Sequence, residues 1–367
     1  MFHRLLNHFK RFDWIIFASV VLLVGFGLAA IYSVALGSGE ASLLNFKKQC
    51  IFAAIGLILL LVFSSFDFHS LYGLNRWIYI GGILSLILVL FLGTPVRGTR
   101  AWFELFGFSL QPSELIKVIM ILTLAQYFSS ASYKTNQLKH FAATGLLIFL
   151  PIALILFQPD FGSAMIIFLF WLGTAAVFGL NRKQIFLIAL TTLVFFTFSF
   201  FFLLKDYQKE RVLTFLNPNI SSLGKGYNAA QSVIAVGAGK IFGKGLGFGS
   251  QSQLKFLPES QTDFIFAVVG EEMGLIGVGL LFVCFAALFF RLIYWVKHID
   301  NNFGLYIILG AIILLSIEMF INIGMNIGIL PVVGITLPFL SYGGSSLIAS
   351  LILIGIVESV VIHARHN

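Results

Sequence analysis

The chain of 367 residues is 59% hydrophobic and only 10% charged, with a mean hydropathy of +0.99. Soluble globular domains are nearer half apolar and a quarter charged, so these values exclude an ordinary soluble protein and point to a lipid bilayer as solvent. Lys and Arg outnumber Asp and Glu by 23 to 15. They form no basic run or stripe, so the surplus reads as loop charge facing anionic lipid or phosphate, and nucleic acid is not an expected partner.

The first residues, Met1–Arg11, are basic, but the apolar stretch Trp14–Leu36 is too long for the core of a signal peptide and reads as a first membrane span. A helix needs about 20 mainly apolar residues to cross the hydrocarbon layer. On that rule spans fall near 14–36, 47–64, 74–93, 113–129, 142–157, 162–180, 184–204, 264–294, 304–328 and 344–363. The expected fold is an all-α polytopic membrane protein of about ten transmembrane helices, one integral domain over 1–367. Cys50 and Cys284 both fall in apolar segments, as packing residues rather than a disulfide or metal site.

Ten spans put both termini on one side. Setting aside the long loop 205–262, eleven basic residues fall on the terminal side and five on the other. The positive-inside rule therefore places the termini in the cytoplasm. That loop, between the seventh and eighth spans, is 58 residues long and keeps Phe, Leu, Val and Ile throughout, including AAQSVIAVGAG at 229–239. Connections of this length are functional or disordered, and its composition predicts short amphipathic helices folded against the outer membrane face.

Charges inside spans are costly and mark function. Glu114 and Lys117 open the fourth span in QPSELIK (111–117); their i, i+3 spacing puts them on one face, as a structural ion pair or as a Lys presented to a cavity by its Glu. Asp263 ends the long loop and borders the apolar run FIFAVV, which suits either a helix N-cap or a carboxylate placed for general-base work. Glu271 and Glu272 lie two to three turns further on and need partners; a structural role fits them best. Segment 237–249 alternates glycine with Lys240 and Lys244, a weak phosphate-cradle signal and no Walker A sequence. Arg97 and Arg100 stand beside aromatic residues in RGTRAWFELFGF, as interface anchors or as binders of an anionic head group. Asp160 is a further outer-face acid. Segment 322–346, with Pro331 and Pro338 and five glycines, is not a straight helix; broken backbone at membrane depth predicts a wet cavity on the outer side.

Four segments, QPSELIK (111–117), QPDFGSA (158–164), 243–277 and NIGMNIGILPVVGITLPFLSYGGSS (322–346), resemble in order and spacing those of the SEDS family (shape, elongation, division and sporulation). These are polytopic peptidoglycan polymerases that include RodA, FtsW and SpoVE. The resemblance covers essentially the whole chain, and the compact length, short termini and Met325 are nearer the RodA type. It implies an inverting glycosyltransferase that polymerises lipid II at the outer face of the bacterial cytoplasmic membrane, serving cell elongation and rod shape. Asp263 matches the family's catalytic acid, and Glu114 and Lys117 fall beside its central cavity. Ala101 stands before Trp102 where the family often has Arg, which weakens a head-group role for Arg100.

The resemblance further implies a class B penicillin-binding protein, a transpeptidase, as partner within the elongation machinery. A pyrophosphate leaving group needs positive charge, for which Lys117, Arg211, Lys244 and a divalent cation (Mg2+ or Mn2+) are the expected sources. The rival class is a transporter of lipid II or another anionic lipid, which broken helices and intramembrane charge also suit. Polar groups concentrated at one face, and no inverted repeat between the halves, favour the enzyme. A scaffold that only recruits other proteins would need neither Asp263 nor Lys117 at a cavity.

Overall fold

The computed structural model describes residues 10–365 except 39, 97, 106–107, 131–136, 178–181, 204–207, 210–212, 214, 216–226 and 255. Ten helices occupy the ten predicted positions: α1 (Trp14–Ser38), α2 (Glu40–Ser65), α3 (Phe68–Leu92), α4 (Pro112–Ser130), α5 (Gln137–Phe157), α6 (Phe161–Val177), α7 (Arg182–Phe198, continued by a π turn Ser199–Leu203), α10 (Ile265–Val296), α11 (Asn302–Asn326) and α12 (Gly344–Ala364). The predicted loop helices are there too: α8 (Tyr227–Ala238) and the single turn α9 (Ser250–Gln253). Seven of the helices among the described residues are long and apolar enough to cross a membrane. Large apolar side chains such as Phe91, Phe157 and Phe290 are largely exposed around the bundle, as a lipid-facing surface requires. The chain is a multi-pass membrane protein.

Three helices make the centre. Helix α12 packs along α2, α11 along α4, and α4 also lies against α3 and α12. Although α4 opens with Glu114 and Lys117, 13 of its residues are buried, so it is enclosed by protein and its charges meet side chains rather than lipid.

One element was not expected. Three short strands, β1 (Thr94–Val96), β2 (Thr99–Leu105) and β3 (Phe108–Leu110), pair as an antiparallel meander, an addition to the all-α bundle. Alternation explains it: Ala101 is buried while its neighbour Arg100, and Glu104 further on, are exposed. A stretch of 17 residues is too short to register as a domain, and β-branched and aromatic residues on a half-buried surface favour strands.

Both termini meet at one end of the bundle. The buried Asp13 accepts from Arg291 Nε (2.7 Å), Trp295 Nε1 (2.7 Å) and Arg365 (3.3 Å), and Arg365 also donates to the Arg11 carbonyl at 2.8 Å. At this end Asp67 and Asn301 cap α3 and α11 through the amides of His69 and Gly304. The opposite end holds the starts of α4, α6, α10 and α12, the end of α11 and the meander, and there the helices leave a cavity.

A candidate active site at the loop-bearing end

The cavity has a volume of about 580 Å³ and is lined by Glu114, Lys117, Asp160 and Asp263, by Trp102 of the meander, and by the irregular segment 331–336 between α11 and α12. The four sequence motifs meet here. Asp160 at the α5–α6 break accepts from Gln111 Nε2 at 2.9 Å and from the Ser163 hydroxyl at 2.7 Å and amide at 3.1 Å. The Gln111 amide donates to Ser345 Oγ at 2.8 Å, tying QPSE to the start of α12. Burial pushes the Asp160 carboxyl up, opposed by its bonds to Ser163. Asp160 is therefore a latch between motifs as well as a wall of the cavity.

Asp263 is held from behind. Its carbonyl oxygen accepts from Asn322 Nδ2 (3.0 Å) and Asn326 Nδ2 (2.9 Å), both on α11. The preceding carbonyls of Thr262 and Gln261 accept from Ser341 Oγ (2.7 Å) and the Tyr342 amide (2.8 Å). With its backbone pinned on two sides, Asp263 turns its side chain to the cavity. The cap position of α10 is Phe264, with no side-chain cap bond, so Asp263 is not the N-cap that its sequence position also allowed. Gly334 faces it across the wall at φ +77; a Cβ there would stand 3.4 Å from Asp263 Oδ2.

Lys117 carries more negative charge around it than sequence spacing indicated. Its ammonium pairs with Glu114 at 2.8 Å, as expected, and also with Glu318 of α11. All three side chains are buried. Sequence reading passed over Glu318; an acid in the middle of the apolar span 304–328 was the signal that could have found it.

Other expectations are corrected. Lys244 does not line the cavity: its ammonium pairs with Glu271 at 2.8 Å. The supposed phosphate cradle is filled by the chain's own carboxylates. Glu271 accepts from the amides of Gln251 (2.9 Å) and Ser252 (3.2 Å), while Glu272 accepts from Ser33, Ser252 and Gln253. These acids bond the loop and the outer end of α1, rather than groups deep in the bundle. The reason is a break in α10 at Gly274 (φ 64, ψ −163), where residues 275 and 276 hydrogen-bond to the carbonyls of Lys240 and Ile241. Glu271→Ala is expected to free this loop segment, speeding limited proteolysis within 244–253 while the helical core stays folded; unchanged digestion would remove its anchoring role. Arg100 is exposed on β2 and does not line the cavity, although its strand neighbours Thr99 and Trp102 do. Arg97 and Arg211 lie outside the described residues. Among the described residues no three His, Cys, Asp or Glu side chains converge to hold a metal. The described donors at the cavity thus fit a cation held by one or two carboxylates, Asp263 among them, and not one caged by three.

A bundle of membrane helices with a polar, carboxylate- and ammonium-lined cavity at one end defines a polytopic membrane protein with a candidate site for a polar substrate. Residues 13–366 match the FtsW/RodA/SpoVE family model, described as cell cycle protein, and the chain belongs to that family. It is 37% identical to the peptidoglycan glycosyltransferase MrdB of Escherichia coli (strain K12), over 85% of this chain and 84% of the relative. With the peptidoglycan glycosyltransferase RodA of Treponema pallidum it shares 30% identity over 95% and 97%. Among solved structures, a chain from work on coordinated polymerization and crosslinking by a peptidoglycan synthase complex superposes with a TM-score of 0.79 at 30% identity, covering 97% of this chain and 99% of that one. The rod shape determining protein RodA of Thermus thermophilus gives 0.69 at 26% identity, with 96% of each chain covered.

Proposed function

We propose that this chain polymerises lipid II by inverting glycosyl transfer with Asp263 as general base. The chain is a peptidoglycan glycosyltransferase of the RodA type, whose activity serves elongation and rod shape. The observation that carries the mechanism is the meeting of four distant motifs around one cavity, with Asp263 on its wall and Lys117 beneath. The Asp263 carboxylate takes the proton of the acceptor sugar's 4-hydroxyl as that oxygen bonds to the donor's anomeric carbon. The bond from that carbon to phosphate oxygen breaks on the opposite side, and undecaprenyl pyrophosphate leaves with the electron pair. Asp263 then returns its proton to water.

Lys117 is the described cation best placed to face the leaving pyrophosphate. Asp263 is the described carboxylate that would hold a divalent cation, which would supply further charge neutralisation. Two lipid-linked substrates account for an enzyme built of membrane helices. The transpeptidase of a class B penicillin-binding protein is the proposed partner, supported by the likeness to a chain of a synthase complex. The direct test is polymerisation of labelled lipid II by purified protein, with and without that partner; no glycan strands under either condition would refute the reading.

The cavity end is proposed to face outward, and the joined termini the cytoplasm of a bacterial inner membrane. Lys240 and Asp300 are both exposed at opposite ends of the bundle. In a background lacking Cys50 and Cys284, Lys240→Cys is expected to react with an impermeant maleimide in intact cells and Asp300→Cys only after permeabilisation. The reverse pattern would invert the topology.

A further inference from the structure

Glu318 has no part in the reaction as proposed, yet it is buried in the middle of an apolar helix against Lys117. Charge balance does not require it. Glu114 alone would neutralise the ammonium, and a second carboxylate at membrane depth is costly. Its position is what distinguishes it. Glu114 and Lys117 line the main cavity and Glu318 does not, so Glu318 holds the ammonium from the side away from substrate. A four-carbon stem left to itself lets the ammonium of a Lys rise toward water.

Glu318 also belongs to a row. Asn322 and Asn326 follow it at four-residue intervals, so the three share one face of α11 in steps of about 6 Å. The two Asn side chains are the clamp on the Asp263 carbonyl. Asn322 Nδ2 donates in addition to the Ile335 carbonyl (2.6 Å), which sets the cavity wall in the same register. A single rigid helix face thus grips Lys117 at one end and Asp263 at the other.

We propose that Glu318 is a positioning residue of the polymerase, and that the face Glu318–Asn322–Asn326 fixes the height of the Lys117 ammonium relative to the Asp263 carboxylate. This rests on the reading of Asp263 as base and Lys117 as the cation facing the leaving group. Such a pair works only when both groups are held within about 0.5 Å of productive geometry.

The test uses full-length protein with fluorescent lipid II, and two backgrounds, the native chain and Glu114→Gln/Lys117→Met. Glu318→Ala is expected to lower kcat by roughly 10²-fold, the scale of an ångström-size misplacement, with KM little changed. Glu318→Gln, which keeps an acceptor for the ammonium at the same reach, is expected to retain most of kcat. Both should melt no lower than the native protein, because Lys117 keeps Glu114. A structural role predicts the opposite, a lower melting temperature with kcat of the folded fraction intact, and that result would overturn the proposal. In a Glu114→Gln/Lys117→Met background, Glu318→Ala should cause no further loss of the residual rate. A further loss equal to that in the native background would sink this inference while leaving Lys117 in the site. Full activity of Glu114→Gln/Lys117→Met would remove Lys117 itself, and the inference with it.

Discussion

Asp263→Asn is expected to abolish glycan polymerisation while leaving folding and partner binding intact. Asn has the size and shape of Asp but cannot accept the proton of the attacking hydroxyl, and loss of a general base costs about 10²–10⁴-fold in rate. The alternative, a capping role, predicts full activity, because Asn caps helices as well as Asp does. The structure already weakens that alternative, since the cap position of α10 is Phe264 and the first-turn amide of Ala267 donates to Asn326 Oδ1 at 3.1 Å. Folding should survive because Asp263 is pinned through its carbonyl by Asn322 and Asn326, contacts that the substitution does not touch. The measurements are strand length from labelled lipid II, melting temperature and co-purification with the transpeptidase. A well-folded Asp263→Asn protein that still makes long strands would leave the mechanism without support.

The spans were legible because a bilayer leaves the chain few choices: backbone groups in hydrocarbon must be satisfied within helices, and hydropathy reveals them. The cavity was legible in outline for the same reason, since prolines and glycines at 322–346 could not continue a helix in lipid. What stayed hidden was pairing across the bundle. Lys117 shows its sequence neighbour Glu114, but Glu318 lies 201 residues away and reaches it only through the packing of α11 on α4. Lys244 and its glycines have the composition of a phosphate cradle; the anion that fills it, Glu271, is brought there by the break at Gly274. A glycine inside an apolar run gives no sign of whether it packs or kinks. The meander at 94–110 was missed because hydropathy windows sized for spans average away a period of two.

Stability of the buried triad supplies the second large effect. Lys117→Met removes the ammonium and leaves Glu114 and Glu318 facing each other among buried side chains. Removing one partner of a buried pair costs about 3–5 kcal/mol, because the group left behind is desolvated and uncompensated. Two stranded carboxylates also repel, so Lys117→Met is expected to be the most destabilised single variant of the three. If Lys117 and Glu114 formed an isolated pair, Glu114→Gln/Lys117→Met would restore stability. With Glu318 present it should restore only part, since one carboxylate is still stranded. Full recovery is expected in the triple variant Glu114→Gln/Lys117→Met/Glu318→Gln, where neutral groups of matching size can hydrogen-bond and no charge remains buried. Polymerisation should stay low throughout the series, because the cation facing the leaving group is gone from every member. Melting temperature of the purified proteins in one detergent orders them: Lys117→Met lowest, the double variant intermediate, the triple near native. A double variant as stable as the triple would mean that Glu318 carries no unbalanced charge in the folded protein, and that the Lys117 ion pair is closed by Glu114 alone.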